Sequence, residues 1–204
     1  VLVKKDGSYT YLLPDLAYHK DKFDRGYDKL VNLFGADHHG YIIRLKAGLD
    51  ILGYNSDNLE ILIIQMVRLM ENGLEVKMSK RTGNAITIRE LCEDVGVDVA
   101  RYFFLSKTLD SHFDFDLDVA RKSSSENPVY YIQYAHARIC SILNSYKVEE
   151  LTPDYKFETI NDESAYNVLS KIYEFKETVE KRKKKKEVHL ITNYAYELAN
   201  LFHS

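Results

Sequence analysis

Apolar residues change their spacing along the chain, and the change predicts two regions of different fold. Residues 29–37 and 58–70 are apolar runs rich in β-forming side chains, which is typical of strands. Between the runs, apolar residues recur at helical spacing on one face: Ile42, Leu45, Leu49 and Leu52. Strand, helix and strand in this order predict a parallel βαβ unit with a right-handed crossover. From Pro128 onward the spacing is helical, so we predict an α/β region followed by an all-α region.

Local signals predict further elements between these two regions. Asn72-Gly73 predicts a hairpin turn at the end of the second apolar run. Thr87, followed three residues later by Glu90, is a capping box and predicts the start of a helix. Residues 113–118 alternate aromatic or apolar side chains with aspartates. This alternation predicts a half-buried strand, and we prefer that interpretation to a cluster of metal ligands.

Composition limits the partners and the compartment. The chain has 204 residues, 45% of them hydrophobic, and a net charge of −3, so any contact with nucleic acid must use local patches. Cys92 and Cys140 have no C-x-x-C spacing, which argues against a disulfide framework or a metal site and fits a reducing, cytoplasmic setting. No apolar run has the length of a membrane span. Because the chain begins without methionine and ends inside an amphipathic pattern, we expect it to be a fragment.

The segment "GADHHGY" follows the first predicted strand, where open α/β sheets bind their ligands. Gly35 would let a ligand approach the backbone closely. Asp37 can accept hydrogen bonds from ribose, an amine or a guanidinium, and His38 and His39 can donate to phosphate or ribose. An equally weighted alternative is a simple turn in which Asp37 caps the next helix and the histidines are exposed. A metal site is disfavoured because adjacent histidines point apart.

The segment "VKMSKRTGNAIT" concentrates positive charge between the predicted hairpin and the capped helix. Lys77 and Lys80 could close over a polyphosphate and offset charge on a departing pyrophosphate. The segment is not a Walker loop, because G-x-x-x-x-G-K-[ST] is absent. On charge alone, a solvated basic turn is the more common structure.

The order of these motifs resembles class I aminoacyl-tRNA synthetases, which carry a KMSK loop after a βαβ unit. The segments "YTYLLPDLAYHKDKFDRGYDKLVNLFGADHHGYIIRLKAGL", "VKMSKRTGNAITIRELCEDVGVDVARYFFL", "DFDLDVA" and "ENPVYYIQYAHARICSIL" are similar to arginyl-tRNA synthetases of bacterial type. The resemblance implies the C-terminal part of a Rossmann-like parallel-sheet catalytic domain with the KMSK loop over residues 1–118. A helical-bundle anticodon-binding domain, cut short, would occupy residues 119–204. The H-x-G-H motif of the class is missing, so half of the ATP site is expected to be absent.

The resemblance also implies roles for single residues. Catalysis would rest on two lysines, Lys77 and Lys80. ATP and adenylate would be bound by Gly35, Asp37, His38, Met78 and Ser79. Arginine would be bound by Tyr11, Asp15 and Asp37, since a carboxylate can meet a guanidinium with two hydrogen bonds and a tyrosine offers a hydroxyl and a ring face. Without the resemblance, Tyr11 would be interpreted as a buried strand residue and Asp15 as a helix cap.

The helix that begins at Pro128 is the predicted RNA surface. Its aromatic and basic residues suit unpaired anticodon bases and their phosphates: Tyr130, Tyr131, Tyr134 and Arg138. The alternative is a core stripe formed by Tyr131, Ala135 and Ile139, and we expect one face of each kind. The basic run Lys181–Lys186 is interpreted as a solvated helix face.

The function implied is ATP-dependent activation of arginine followed by transfer to its tRNA. Mg²⁺ would arrive with ATP, and no metal would be bound by the protein itself. The expected partners are arginine, ATP and the tRNA for arginine, without a membrane, and the full-length form is expected to be a cytoplasmic monomer. The fragment alone is expected to be inactive. The alternative is a non-catalytic tRNA- or RNA-binding module that retains the synthetase fold.

Overall fold

A computed structural model of the chain describes residues 1–76, 86–145, 161–185 and 187–204. The chain divides into two compact units. The first unit comprises Val1–Met66 and Leu109–Phe113, and the second comprises Val67–Thr108 and Asp114–Ser204. Within the described residues, no helix combines the length and the apolar character needed to cross a membrane.

The first unit contains a parallel pair of strands. Its elements in chain order are α1 (Leu12–Asp24), β1 (Leu30–Gly35), a 3-10 helix (Ala36–Tyr41), α2 (Ile42–Ile51), a short 3-10 helix (Ser56–Asn58) and β2 (Leu59–Ile64). Strands β1 and β2 run parallel, with Leu30 opposite Leu59 and Gly35 opposite Ile64. The strand–helix–strand order and its parallel pairing match the βαβ unit predicted from the apolar spacing.

The core of the first unit lies between the two helices and the strands. Leu45 and Leu49, one helical turn apart on α2, are completely buried, as the helical spacing predicts. Helices α1 and α2 approach closely at Gly48, where an added Cβ would lie 2.6 Å from a methyl carbon of Leu16. A side chain at position 48 would therefore force the two helices apart. The buried cluster consists of Leu16, Leu30, Leu45, Leu49 and Leu59.

The sequence predicted a single strand over residues 58–70, but the structure has two strands there. Strand β2 ends at Ile64 and β3 (Val67–Glu71) begins after Met66, and the strands belong to different sheets. At the break, the Gln65 N–H donates a hydrogen bond to the Leu109 carbonyl oxygen at 2.8 Å instead of to a ladder partner. Periodicity alone does not reveal such a break, because both strands are apolar.

The predicted hairpin at Asn72-Gly73 is present. Strand β3 pairs antiparallel with β4 (Leu74–Glu75), and Asn72 and Gly73 have φ values of 52° and 72°. Two consecutive positive φ angles are the requirement of the tight hairpin turn that suits twisted strands. Strand β3 also neighbours β5 (Phe113–Asp116), so the sheet order is β4-β3-β5.

Helices make up most of the second unit. They are α3 (Ile88–Val95), α4 (Val97–Leu105), α5 (Leu117–Ala120), α6 (Pro128–Ser145), α7 (Glu163–Lys185) and α8 (His189–His203). The capping box forms as predicted: the Glu90 N–H donates to Thr87 Oγ1 at 3.2 Å, and the Thr87 N–H donates to Glu90 Oε2 at 2.7 Å. Helix α8 packs against both α6 and α7.

The predicted strand over 113–118 is shorter than expected. Phe113 and Phe115 are buried as the alternation requires, but Asp116 ends the strand. Its carboxylate accepts a hydrogen bond from the Val119 N–H at 2.9 Å and so caps α5. The capping preference of aspartate therefore ends the alternating pattern two residues early.

Candidate functional site

A cavity of about 1020 Å³ lies in the first unit beside the carboxyl end of β1. Three segments line it: the start of α1, the end of β1, and the 3-10 helix with the first turn of α2. Of the residues predicted to bind ligands, four line this cavity: Tyr11, Asp15, Gly35 and His38. The site thus lies at the strand end where open α/β sheets bind ligands.

Asp15 is the carboxylate of this cavity. It lies half-buried in the first turn of α1, where the helix dipole favours a negative charge. The Tyr41 hydroxyl donates a hydrogen bond to Asp15 Oδ2 at 2.7 Å. Burial, and then the hydrogen bond to Asp15, raise the pKa of Tyr41 above its ordinary value, so this hydroxyl keeps its proton.

The alternative interpretations of Tyr11 and Asp15 as structural residues are wrong. Tyr11 is 93% exposed and immediately precedes α1, so it is not a buried strand residue. Asp15 lies inside α1 and not at its capping position. Both side chains are therefore free of the structural roles that the sequence alone favoured.

Behind Asp15, a buried histidine joins α1 to β1. His19 is 1% exposed, its Nδ1 lies 2.7 Å from the Asp15 carbonyl oxygen, and its Nε2 lies 2.6 Å from the Asn32 side-chain nitrogen. Because a carbonyl only accepts and an amide nitrogen only donates, Nδ1 carries the proton and Nε2 accepts from Asn32. His19 therefore holds the backbone at Asp15.

Sequence reasoning missed His19, Asn32 and Tyr41. A signal for His19 was present, since it lies at core spacing in α1, three residues after Leu16 and four before Phe23. Tyr41 ends the segment "GADHHGY", but nothing in the sequence says which carboxylate its hydroxyl reaches.

The segment that follows β1 takes an intermediate arrangement between the two interpretations that the sequence left open. Gly35, not Asp37, is the N-cap residue of the 3-10 helix, so the alternative in which Asp37 caps the helix is wrong. His38 lines the cavity, and its ring centroid lies 5.6 Å from that of Phe34 and 6.1 Å from that of Tyr41. The Asp37 side chain is 81% exposed and lies 3.7 Å from His38 Nε2, outside the described cavity lining.

Four of the predicted site residues lie outside the described residues: Lys77, Met78, Ser79 and Lys80. The structure does describe the elements on either side, the β3–β4 hairpin and α3. Arg121 connects them, since its Nη1 donates to Glu71 Oε1 at 2.6 Å and its Nη2 donates to Asp94 Oδ2 at 2.6 Å. These bonds, chiefly those to Asp94, raise the pKa of Arg121.

The second candidate surface lies in the second unit, on α6. Tyr130, Tyr134 and Arg138 follow at intervals of four residues, and all three are exposed. The two tyrosine rings are stacked with centroids 6.4 Å apart. The Arg138 guanidinium lies 5.9 Å from the Tyr134 ring centroid, and its Nη1 lies 3.1 Å from His203 Nδ1. We call Tyr130, Tyr134 and Arg138 the α6 row.

Tyr131, also predicted to bind RNA, points to α8 instead. Its hydroxyl donates to Asn200 Oδ1 at 3.3 Å, and its ring lies 4.5 Å from the His203 ring. In the predicted core stripe, Ala135 is buried but Ile139 is 39% exposed. Tyr131 and Ala135 therefore lie on a packed face of α6, the predicted core stripe does not extend to Ile139, and the RNA-binding face stays a prediction.

The aspartates of the segment 113–118 all have structural partners. Asp114 forms a two-bond ion pair with Arg68, with both distances 2.7 Å, and Asp118 Oδ2 accepts from the Asn72 N–H at 2.5 Å. Asp116 caps α5, as described above. In the basic run, Lys181 extends from α7 into solvent and pairs with Glu177 at 2.7 Å.

Comparisons with known proteins agree on one class. The family model of the DALR anticodon binding domain matches residues 132–204. A crystal structure of a candidate arginyl-tRNA synthetase from Campylobacter jejuni superposes with a TM-score of 0.85 at 40% identity, covering 100% of this chain and 44% of that one. The arginyl-tRNA synthetase of Thermus thermophilus shares the fold, with a TM-score of 0.76 at 18% identity over 100% of this chain and 42% of that one. These matches show that the chain resembles an anticodon binding domain in residues 132–204 and part of arginyl-tRNA synthetase structures in its fold.

Within that class, the sequence relatives are more specific. Arginine–tRNA ligases of Staphylococcus aureus strains USA300 and JH9 are each 58% identical over 205 aligned positions, covering 100% of this chain. The chain is a homologue of arginine–tRNA ligases over its whole length. It spans 37% of the length of these relatives and corresponds to their C-terminal part.

Proposed function

We propose that this chain is the part of an arginine–tRNA ligase that recognises the arginine side chain and the anticodon. The complete protein would use ATP to form arginyl-adenylate and would then transfer arginine to its tRNA. The observation that carries the proposal is Asp15, a half-buried carboxylate in a cavity, with one oxygen held by Tyr41. The family relationship and this carboxylate point to the same cationic substrate.

The Asp15 carboxylate can accept the two hydrogen bonds that a guanidinium donates. Tyr41 binds Oδ2, and among the described residues no side chain donates a hydrogen bond to Oδ1. A guanidinium can donate two parallel hydrogen bonds to a carboxylate. The exposed Tyr11 ring at the same cavity could cover the planar cation.

The remaining parts of the active site are assigned by family relationship. Lys77 and Lys80 would offset charge on the departing pyrophosphate while the arginine carboxylate attacks the α-phosphate. Mg²⁺ would come with ATP as part of the substrate. Adenylate contacts would fall to Gly35, Asp37, His38, Met78 and Ser79, and Asp37 would also bind arginine. Catalysis by position and electrostatics requires no covalent enzyme intermediate.

The α6 row is the proposed anticodon surface. Its exposed tyrosine rings can stack with unpaired bases, and Arg138 can pair with a phosphate or a base edge. Tyr131 would serve the same surface indirectly, because it packs beneath the row against α8. The match of the DALR anticodon binding domain model to residues 132–204 supports this assignment.

The organisation of the complete protein is part of the proposal. Residues 1–118 would complete a Rossmann-like catalytic domain with its KMSK loop, and residues 119–204 would belong to the anticodon-binding domain. The parallel β1–β2 pair supports the first assignment, and the helices α6 and α8 support the second. We propose a cytoplasmic monomer as the working form.

Arginine-dependent exchange of ATP with pyrophosphate tests the proposal in the full-length protein that carries this chain. Asp15→Asn should raise KM for arginine at least about 100-fold, because a desolvated charge pair is lost. Asp24→Asn is the matched control, since Asp24 ends the same helix outside the cavity. We expect this control to stay within about twofold of the unmodified protein.

Two results would contradict the proposal. Absence of exchange with any amino acid, together with retained tRNA binding, would favour a non-catalytic RNA-binding module. Exchange that is unaffected by Asp15→Asn would remove Asp15 from arginine recognition. The 204-residue chain alone should support no exchange, and arginine-dependent exchange by it would refute that expectation.

A further inference from the structure

We propose that Tyr41 is a positioning residue that fixes the Asp15 carboxylate for two-bond recognition of a guanidinium. This inference rests on the proposed function and names a residue of the same site. The Tyr41 hydroxyl and the Asp15 carboxylate are 26 positions apart in the sequence and meet at 2.7 Å beside the cavity. The bond joins the start of α1 to the end of the 3-10 helix.

Tyr41 is itself held in place. Its ring lies 6.1 Å from the rings of both Phe34 and His38, and the Arg44 guanidinium lies 5.7 Å from its centroid. The ring therefore has neighbours on several sides, which restricts its hydroxyl to the position beside Asp15. A donor with restricted freedom restricts its acceptor in turn.

Asp15 is also held from the side of the backbone. His19 Nδ1 donates to the Asp15 carbonyl oxygen at 2.7 Å, and Asn32 on β1 keeps that histidine in the required tautomer. With the backbone held by His19 and Oδ2 held by Tyr41, the plane of the carboxylate is defined before a ligand arrives. Such preorganisation lowers the entropy cost of binding a planar, two-pronged cation.

A second tyrosine–aspartate hydrogen bond on the same helix allows the partners of Asp15 to be compared with those of Asp24. At the other end of α1, the Tyr54 hydroxyl donates to Asp24 Oδ1 at 2.6 Å, but Lys20 already pairs with Oδ2 of that carboxylate. Among the described residues, no cation pairs with Asp15, and its carboxylate faces a cavity. The position that Lys20 fills at Asp24 is therefore open at Asp15, and a guanidinium would complete it.

The chemistry of the ligand follows from this geometry. A fixed carboxylate plane matters for a guanidinium, whose N–H groups form a rigid fork, but matters little for an ammonium, which is a point charge. Tyr41 should accordingly contribute to recognition of arginine and not to binding of ATP. The effect should appear in KM for arginine and not in kcat, because the bond is remote from the reacting carboxylate of the substrate.

The test compares Tyr41→Phe with Tyr54→Phe in the full-length protein that carries this chain, by arginine-dependent ATP–pyrophosphate exchange. Each change removes one hydroxyl that donates to an aspartate of α1 and keeps the ring. Tyr41→Phe should raise KM for arginine about tenfold, with kcat and KM for ATP within about twofold. Tyr54→Phe should leave all three parameters within about twofold.

The outcomes separate this inference from the proposed function. Exchange that depends on arginine and collapses with Asp15→Asn, but keeps its KM with Tyr41→Phe, would overturn the role of Tyr41 and leave the proposed function intact. A loss of kcat equal to the rise in KM would also overturn it, because general damage would then explain the variant. Absence of arginine-dependent exchange in the unmodified protein would remove the proposed function itself.

Discussion

The cavity beside β1 and the α6 row use the same kinds of side chain for opposite purposes. In the cavity, Tyr41 has a packed ring and contributes its hydroxyl to a carboxylate. On α6, Tyr130 and Tyr134 are partly exposed, and the Tyr134 ring stacks with the Tyr130 and His203 rings beside the guanidinium of Arg138. The first arrangement suits a cation and the second suits bases and phosphates. Tyrosine therefore indicates a function only once the environment of its ring and of its hydroxyl is known.

The two regions also use histidine differently. His19 is buried and bonded at both ring nitrogens, whereas His203 lies beside Arg138 at the half-exposed end of α8. The buried histidine holds the backbone of Asp15, the residue proposed to bind arginine. The half-exposed histidine lies next to residues that are themselves proposed to bind RNA.

The largest expected effect comes from removing the buried hydrogen bond between His19 and Asn32. His19→Leu should lower the free energy of unfolding by about 1–3 kcal/mol, because the buried Asn32 amide loses its acceptor. Urea unfolding measures the change. The double variant His19→Leu, Asn32→Leu should be less destabilised than the single one, since no polar group is then left unpaired. A double variant that is as unstable as the sum of both single changes would contradict this.

The next effect concerns the α6 row. Tyr134→Ala and Arg138→Ala should each weaken binding of the tRNA for arginine about tenfold, because one loses base stacking and the other loses a charged contact. Filter binding over a salt series distinguishes them: only Arg138→Ala should reduce the salt slope by about one. Tyr173→Ala, an 89% exposed tyrosine on α7, is the matched control. Equal losses in the control would show that the α6 row has no special role.

A smaller effect separates Arg121, which is held by two carboxylates, from Arg138, which is proposed to bind RNA. Arg121→Met should lower the free energy of unfolding by about 1 kcal/mol, since its ion pairs with Asp94 and Glu71 are partly screened by solvent. Arg138→Met should leave the unfolding midpoint almost unchanged. Urea unfolding of both variants checks the contrast. Equal losses of unfolding free energy in Arg138→Met and Arg121→Met would contradict this contrast.

The smallest effect is a pH dependence. Burial raises the pKa of Tyr102 to about 12, while an unfolded tyrosine titrates near about 10. The folded state therefore holds this proton more tightly, and the resulting stabilisation is complete below pH of about 10 and is lost as pH rises toward about 12. Tyr102→Phe should flatten this decline in thermal unfolding curves. The same decline in the variant and the unmodified chain would contradict the assignment.

The sequence determined the elements whose signals are local. Helical spacing located α2, Asn72-Gly73 located the hairpin, and Thr87 with Glu90 located the start of α3. These predictions succeeded because a cap or a tight turn depends on residues a few positions apart. The motif order also led to the family resemblance and, through it, to the proposal that Tyr11 and Asp15 bind arginine, although the side-chain patterns alone favoured structural roles for both.

Tertiary structure decided which faces and which partners these elements have. The sequence has no local signal for three features: the break after Ile64, the Tyr41–Asp15 bond, and the greater exposure of Tyr134 than of Tyr131. Periodicity specifies that a helix has two faces, but the neighbour on each face is set by how distant elements pack. The Tyr41–Asp15 bond joins residues 26 positions apart, and the neighbouring helices α1 and α2 pack together where Gly48 meets Leu16.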